Sequence, residues 1–331
     1  MNNDSAAELA VLLALDALPP EEQVDAELLH GTFPDGLSEV TLALAEGVSA
    51  LPPADLRAAT LARALSRRGP GSAFGDTQRC TALEGFTRTI DDLYALLAGL
   101  SADEWSVTAT QAHGRVHDLV AHLTGMERLC LAWVSGEPAD PDLGHLAATE
   151  PVIAEFAQAT PAEVIQAWAA AARAFALAAA QGDPDREASF HDIAASVEGL
   201  LVIRTFELWA HGMDIAAATG RPLPTLDPER MLNLSTQLMR SIPLALAYRA
   251  AAVPGRTARF VLTGPAGGCY DVPLATSSPV GEPDVTIVVD AIDLCRLAAR
   301  RLSADDLPVT IEGDEDLGRL VLANADAFAK D

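Results

Sequence analysis

Near residue 255 the hydrophobic period of this chain changes, and that change limits the folds open to it more than any other feature. Before it, apolar residues recur at spacings of three and four through segments 78–100, 114–135, 161–181, 190–219 and 227–251, which is the period of a helix with one buried face. After it, RTARFVLTG, CYDVPL, DVTIVVD and LPVTIEG alternate or run β-branched, while AIDLCRLAARRL and DEDLGRLVLANADAFA keep the helical period. The expected fold class is therefore mainly α with a C-terminal α+β domain. Residues 77–252 form a bundle of four main helices and an extra one, and 253–331 form a small domain with a mainly antiparallel sheet.

Residues 1–66 read as a separate small helical module. Four short amphipathic segments, SAAELAVLLALDAL, EEQVDAELLH, GLSEVTLALAEGVSAL and PADLRAATLARAL, are divided by Pro and Gly. The stretch RRGPGSAFGD at 67–76 is the expected linker.

Charge excludes some partners. The formal net charge is −25 over 331 residues, a field that repels phosphate backbones and anionic lipid. Neither nucleic acid nor a membrane is an expected partner. The most apolar helical run, IQAWAAAARAFALAAA at 165–180, is interrupted by Arg173 and reads as a packed helix. No basic segment precedes an apolar one at the start of the chain, so the expected location is cytoplasmic. Cys80, Cys130, Cys269 and Cys295 lack CxxC spacing, which points to reduced thiols and away from a disulfide framework or a cysteine-only metal site.

Two segments place a carboxylate one helical turn before a histidine. GRVHDLVAHLTGMERL sets Asp118 before His122, and FELWAH sets Glu207 before His211. Positions i and i+4 share a helix face, so such a pair can hold a metal, or can be a plain contact worth a few tenths of a kcal/mol. The other histidines, His113 and His117 among them, repeat no such spacing and read as ordinary.

DLVAHL followed far downstream by Glu207, His211 and Asp214 in the order E-x3-H-x2-D, inside a bundle and ahead of a small α+β domain, resembles the mycothiol-dependent maleylpyruvate isomerase family of the DinB-like superfamily. The resemblance covers about 77–328. It implies a divalent metal, usually zinc, held by His122, Glu207 and His211, with mycothiol as an external thiol cosubstrate. Two imidazoles and a carboxylate leave an open position, as catalytic zinc sites do. Asp214 and Asp118 are candidates to orient the ligand histidines through their second ring nitrogens.

The implied chemistry is thiolate addition to an activated cis double bond, rotation, and elimination to the trans isomer, or thiol transfer on a small unsaturated or electrophilic acid. In the same family a Gly-Arg closes a helix of the C-terminal domain. Here Ala299-Arg300 stands in its place, and Arg300 or Arg301 is the expected clamp for a substrate carboxylate.

The first 66 residues are similar to the helical domain of actinobacterial anti-sigma factors. His30 matches their zinc motif, while Pro34 and Leu37 occupy its cysteine positions. This module implies a sigma factor or a second copy of the chain as partner. The alternative function is accordingly a transcriptional regulator, an anti-sigma-like module coupled to a metal-binding sensor bundle.

Overall fold

The computed structural model describes residues 77–137, 145–190, 193–264 and 266–329. The expected helical module at 1–66 and the linker at 67–76 lie outside them. Helix α1 spans Ala82–Ala98, α2 Val116–Val134, α3 His145–Phe156, α4 Pro161–Gln181, α5 Val197–Ala218 and α6 Pro228–Tyr248.

Capping fixes where these helices begin. Thr81 and Thr160 form capping boxes with Glu84 and Glu163, satisfying amide groups that the first turn leaves open. Ser196 caps α5 and Asp227 caps α6, with Pro161 and Pro228 in the first turns of α4 and α6. Helix α5 is the central element. Residues on all its faces are buried, including Leu200, Leu208, Trp209, Met213 and Ile215, and a helix apolar all round belongs in an interior.

Two departures from the expected bundle matter for the site. The segment expected as a helix from 190 begins as a hairpin, with β3 (Glu187–Phe190) antiparallel to β4 (Ile193–Ser196), and α5 starts only at Val197. Helix α3 has no counterpart among the expected segments; it is short and carries Pro151 internally, so its periodic signal is weak. A further small hairpin, β1 (Thr108–Thr110) with β2 (Gly114–Arg115), leads into α2.

The C-terminal sheet has the order β6-β5-β7-β8, from strands β5 (Thr257–Thr263), β6 (Gly268–Pro273), β7 (Val285–Asp290) and β8 (Val309–Gly313). Its β5–β6 and β7–β8 pairs are antiparallel and its β5–β7 pair is parallel. Helices α7 (Ala291–Ala298) and α8 (Glu315–Ala323) pack on β7, and α6 packs on β6 and α7. One hydrophobic core runs from Phe86, Leu119 and Trp168 through Leu200 and Leu246 to Phe260, Ile287 and Leu294. Bundle and sheet therefore bury their apolar faces against each other, and the seam between them is where the site lies. No helix among the described residues is long and apolar enough to cross a membrane.

Candidate functional site

Helix α5 carries an ionisable stripe inside an otherwise apolar helix: Arg204, Glu207, His211 and Asp214, at successive spacings of three, four and three. Those spacings keep all four on one face. His211 is 3% exposed, and α2 and the β1–β2 turn bring His122 and His113 to it, at 0% and 6% exposure. One nitrogen from each of the three imidazoles lies within 4.8 Å of the others. The ring centroids stand 4.5 Å apart for His113 and His122, 4.9 Å for His113 and His211, and 6.0 Å for His122 and His211.

Each ring is oriented by a neighbour. The His211 Nδ1 lies 3.1 Å from Asp214 Oδ2, and since a carboxylate only accepts, the proton sits on Nδ1 and the lone pair on Nε2. His122 Nδ1 lies 2.7 Å from the Thr149 hydroxyl, which itself donates to the Leu146 carbonyl. The hydroxyl has one proton and has spent it on Leu146, so His122 donates from Nδ1 and again keeps its lone pair on Nε2. Thr110 holds His113 in the turn through the His113 amide at 3.0 Å and Nδ1 at 3.1 Å. Gly114, at φ +72°, then reverses the chain into α2.

Asp214 is itself anchored from the segment that follows α7. Arg301 donates to it from Nε at 3.0 Å and from Nη2 at 2.5 Å, the bidentate geometry that suits guanidinium and carboxylate. Burial pushes the Asp214 carboxyl up, yet the hydrogen bonds from His211 and Arg301 outweigh it and hold the group below the usual carboxylate range.

Glu207, expected as a metal ligand, lies outside the histidine cluster. Its carboxylate pairs with Arg204, which also donates from Nη2 to Glu127 Oε1 on α2 at 2.9 Å. Arg204 and Glu127 have fully buried side chains, while that of Glu207 is 20% exposed. The third imidazole of the cluster is His113, which the spacing argument set aside as ordinary. Asp118 does not reach His122: at the start of α2 its carboxylate receives Arg115 Nε at 2.9 Å and Nη2 at 2.8 Å. His117 is held by the Ala159 carbonyl at 3.0 Å. Arg300 pairs with Asp326 at 2.8 Å, away from the histidines.

A cavity of about 330 Å³ opens beside the cluster between α5, α6 and the ends of α7 and α8. Glu207, His211 and Arg301 reach its wall, which is otherwise mostly apolar, with Ile203, Phe206, Leu238 and Phe328 among the lining residues. The four cysteines are buried thiols outside any disulfide. Burial pushes all of their thiols up, Cys295 to about 12, which removes thiolate character at neutral pH.

Gly125 is what lets α3 approach α2 closely enough to serve His122. A Cβ there would stand 2.9 Å from Thr149 Cγ2 and 3.0 Å from its Cβ. The Gly125→Ala variant is expected to lose about 1–3 kcal/mol by overpacking, measured by urea unfolding. It should also shift the His122 ring resonances as Thr149 is displaced. Unchanged resonances together with full stability would show that Thr149 has room to move.

Three oriented imidazoles beside a mostly apolar cavity, within a helical bundle, define a protein that handles small molecules. By sequence, residues 86–216 match the mycothiol maleylpyruvate isomerase N-terminal domain family. That span holds all three histidines together with Glu207 and Asp214.

Two uncharacterised proteins, from two strains of Mycobacterium tuberculosis, are each 25% identical over 241 residues, which is 71% of this chain and 91% of the relative. Among solved structures, the mycothiol-dependent maleylpyruvate isomerase and a histidine-to-alanine mutant of it align at 17% identity, with TM-scores of 0.46 and 0.47. The alignments cover 69% of this chain and 91% of theirs.

Proposed function

We propose that this protein is a metal-dependent enzyme that uses an external low-molecular-weight thiol of the mycothiol type to isomerise, or to add that thiol to, a small electrophilic molecule. The observation that carries the reading is the trio His113, His122 and His211, three buried imidazoles within 4.8 Å of one another at the edge of a cavity. The donor set suits zinc or another divalent first-row ion. The chemistry such an ion supplies when bound is to hold an incoming thiol as its thiolate at neutral pH.

The chain's own residues do the rest. Thr149 and Asp214 fix the ring planes of His122 and His211 and keep their Nε2 lone pairs available. Arg301 holds Asp214 in place with two hydrogen bonds. Glu207, backed by Arg204, puts a carboxylate on the cavity wall one turn from His211. It is the rival third donor to His113, and otherwise the group placed to accept a thiol proton.

The nucleophile comes from outside because the chain's own thiols are buried and kept protonated. In isomerisation the thiol's sulfur bonds to one olefinic carbon, the former double bond rotates as a single bond, and the same carbon–sulfur bond breaks. No atom is gained or lost overall. A bundle of the DinB-like kind, working in the cytoplasm where small thiols stay reduced, fits this reading.

The test is metal content and thiol dependence on one preparation. Untagged protein is expected to carry about one divalent ion per chain by elemental mass spectrometry, and to consume a cis-olefinic acid or ester only when a thiol is added. Metal-free protein with no thiol-dependent turnover would end the proposal. The regulator alternative rests on residues 1–66, outside the described residues, and no observation of the site favours it.

A further inference from the structure

The Arg and Glu side chains that line the cavity are already engaged within the protein. Among the described residues, Arg301 is the only Lys or Arg that lines the cavity. Its guanidinium is bound to the Asp214 carboxylate and to the Ala299 carbonyl. Glu207, the one acidic residue among the described lining residues, pairs with the fully buried Arg204, which also serves Glu127.

Apart from His211, the remaining polar lining residues are uncharged. Ser241 donates to the Leu238 carbonyl and Ser196 caps α5, while Gln237 contributes an amide. Most of the surface a ligand would touch is hydrocarbon: Val202, Ile203, Phe206, Leu238, Leu244 and Phe328. A carboxylate placed against that wall would leave water without gaining an uncommitted side-chain cation among the described residues, a costly transfer. The chain's net charge of −25 adds a repulsive field to the approach of any dianion.

We infer that the cavity takes a neutral, chiefly apolar electrophile, such as an unsaturated ester, ketone or amide, and discriminates against small dicarboxylates. This inference rests on the proposed small-molecule site and adds the substrate class to it. Both arginines expected as a carboxylate clamp are engaged, Arg300 with Asp326 and Arg301 with Asp214. The hydrocarbon wall selects by shape and apolar contact, and the amide of Gln237 is suited to meet a carbonyl or hydroxyl.

Maleate and dimethyl maleate share one cis double-bond skeleton and differ in charge, so calorimetric titration of each into the purified full-length protein, without thiol, isolates the charge preference. The diester is expected to bind about tenfold or more tightly than the dianion. Dibutyl maleate, with more apolar surface, should bind more tightly still.

In Leu244→Arg, a substitution at a 47% exposed lining position, a new cation faces the cavity and maleate should gain most of the lost ground. Maleate binding as tightly as the diester, or neither probe binding, would overturn the inference. Turnover with added thiol is scored separately. A diester preference without turnover removes the isomerase reading and keeps the substrate class, whereas turnover of maleate with no diester preference does the reverse.

Discussion

Arg204→Met is expected to destabilise the protein by about 3–5 kcal/mol, because removing one partner of a buried ion pair strands the other charge. Glu127 is the stranded group. Its side chain is fully buried, and that burial already raises its pKa, with Arg204 opposing the shift. A carboxyl whose folded pKa lies above its unfolded value binds more protons when folded. Its contribution is fully present below the unfolded value near pH 4.3 and is lost as pH rises through the folded value.

The Arg204→Met variant should therefore regain stability on acidification, opposite in sign to ordinary acid unfolding. Adding Glu127→Leu removes the stranded charge and should recover most of the loss, since a buried pair replaced by apolar groups of similar volume is often neutral or better. Urea unfolding of both variants between pH 5 and pH 8 reads all three effects. A single variant as stable as wild type would mean that water reaches Glu127 in solution.

His113→Ala is expected to abolish metal retention, while Glu207→Gln keeps it, if the three clustered imidazoles are the ligands. A missing ligand is a larger loss than the 10–100-fold that a missing supporting hydrogen bond costs. The two variants separate two sets that share His122 and His211. The arrangement of His113, His122 and His211 within 4.8 Å supports one set, and the pairing of Glu207 with Arg204 places Glu207 outside it.

Competition with a chromogenic chelator on each purified variant is the measurement. Loss of metal in Glu207→Gln with retention in His113→Ala would return Glu207 to the ligand set and leave His113 as a packing residue. His211→Ala serves as the control, since both sets predict a metal-free protein.

The long helices were readable because each buries one face or all faces over five or so turns, so their period survives in the sequence. The β-branched runs of β5, β7 and β8 were readable for the same reason. The parallel pairing of β5 with β7 was not, because a strand's neighbour is a non-local fact that its own residues do not encode.

In the site, the carboxylate–histidine spacing drew attention to His122 and His211, although neither carboxylate is the ring's partner. His122 is served by Thr149 from α3 and His211 by Asp214 three residues on. His113 escaped notice because it sits in a turn between strands of three and two residues, where no period exists to mark it. A fuller signal was available in α5: four ionisable residues at spacings of three, four and three inside an apolar helix mark an interior polar track. Arg204 belonged to that track and was passed over.

The seam between bundle and sheet has an evolutionary reading. The histidines, Glu207 and Asp214 all fall within residues 86–216, the span that carries the family likeness. Leu234, Leu238 and Leu244 of α6, with Ala298, Ala325 and Phe328 beyond, complete the opposite wall outside that span. In the proposed site the imidazoles thus come from one stretch of the chain, while the cavity wall is shared between that stretch and a second. Drift in the second stretch can change what enters without disturbing what reacts, so a lineage built this way can keep its chemistry and exchange its substrates.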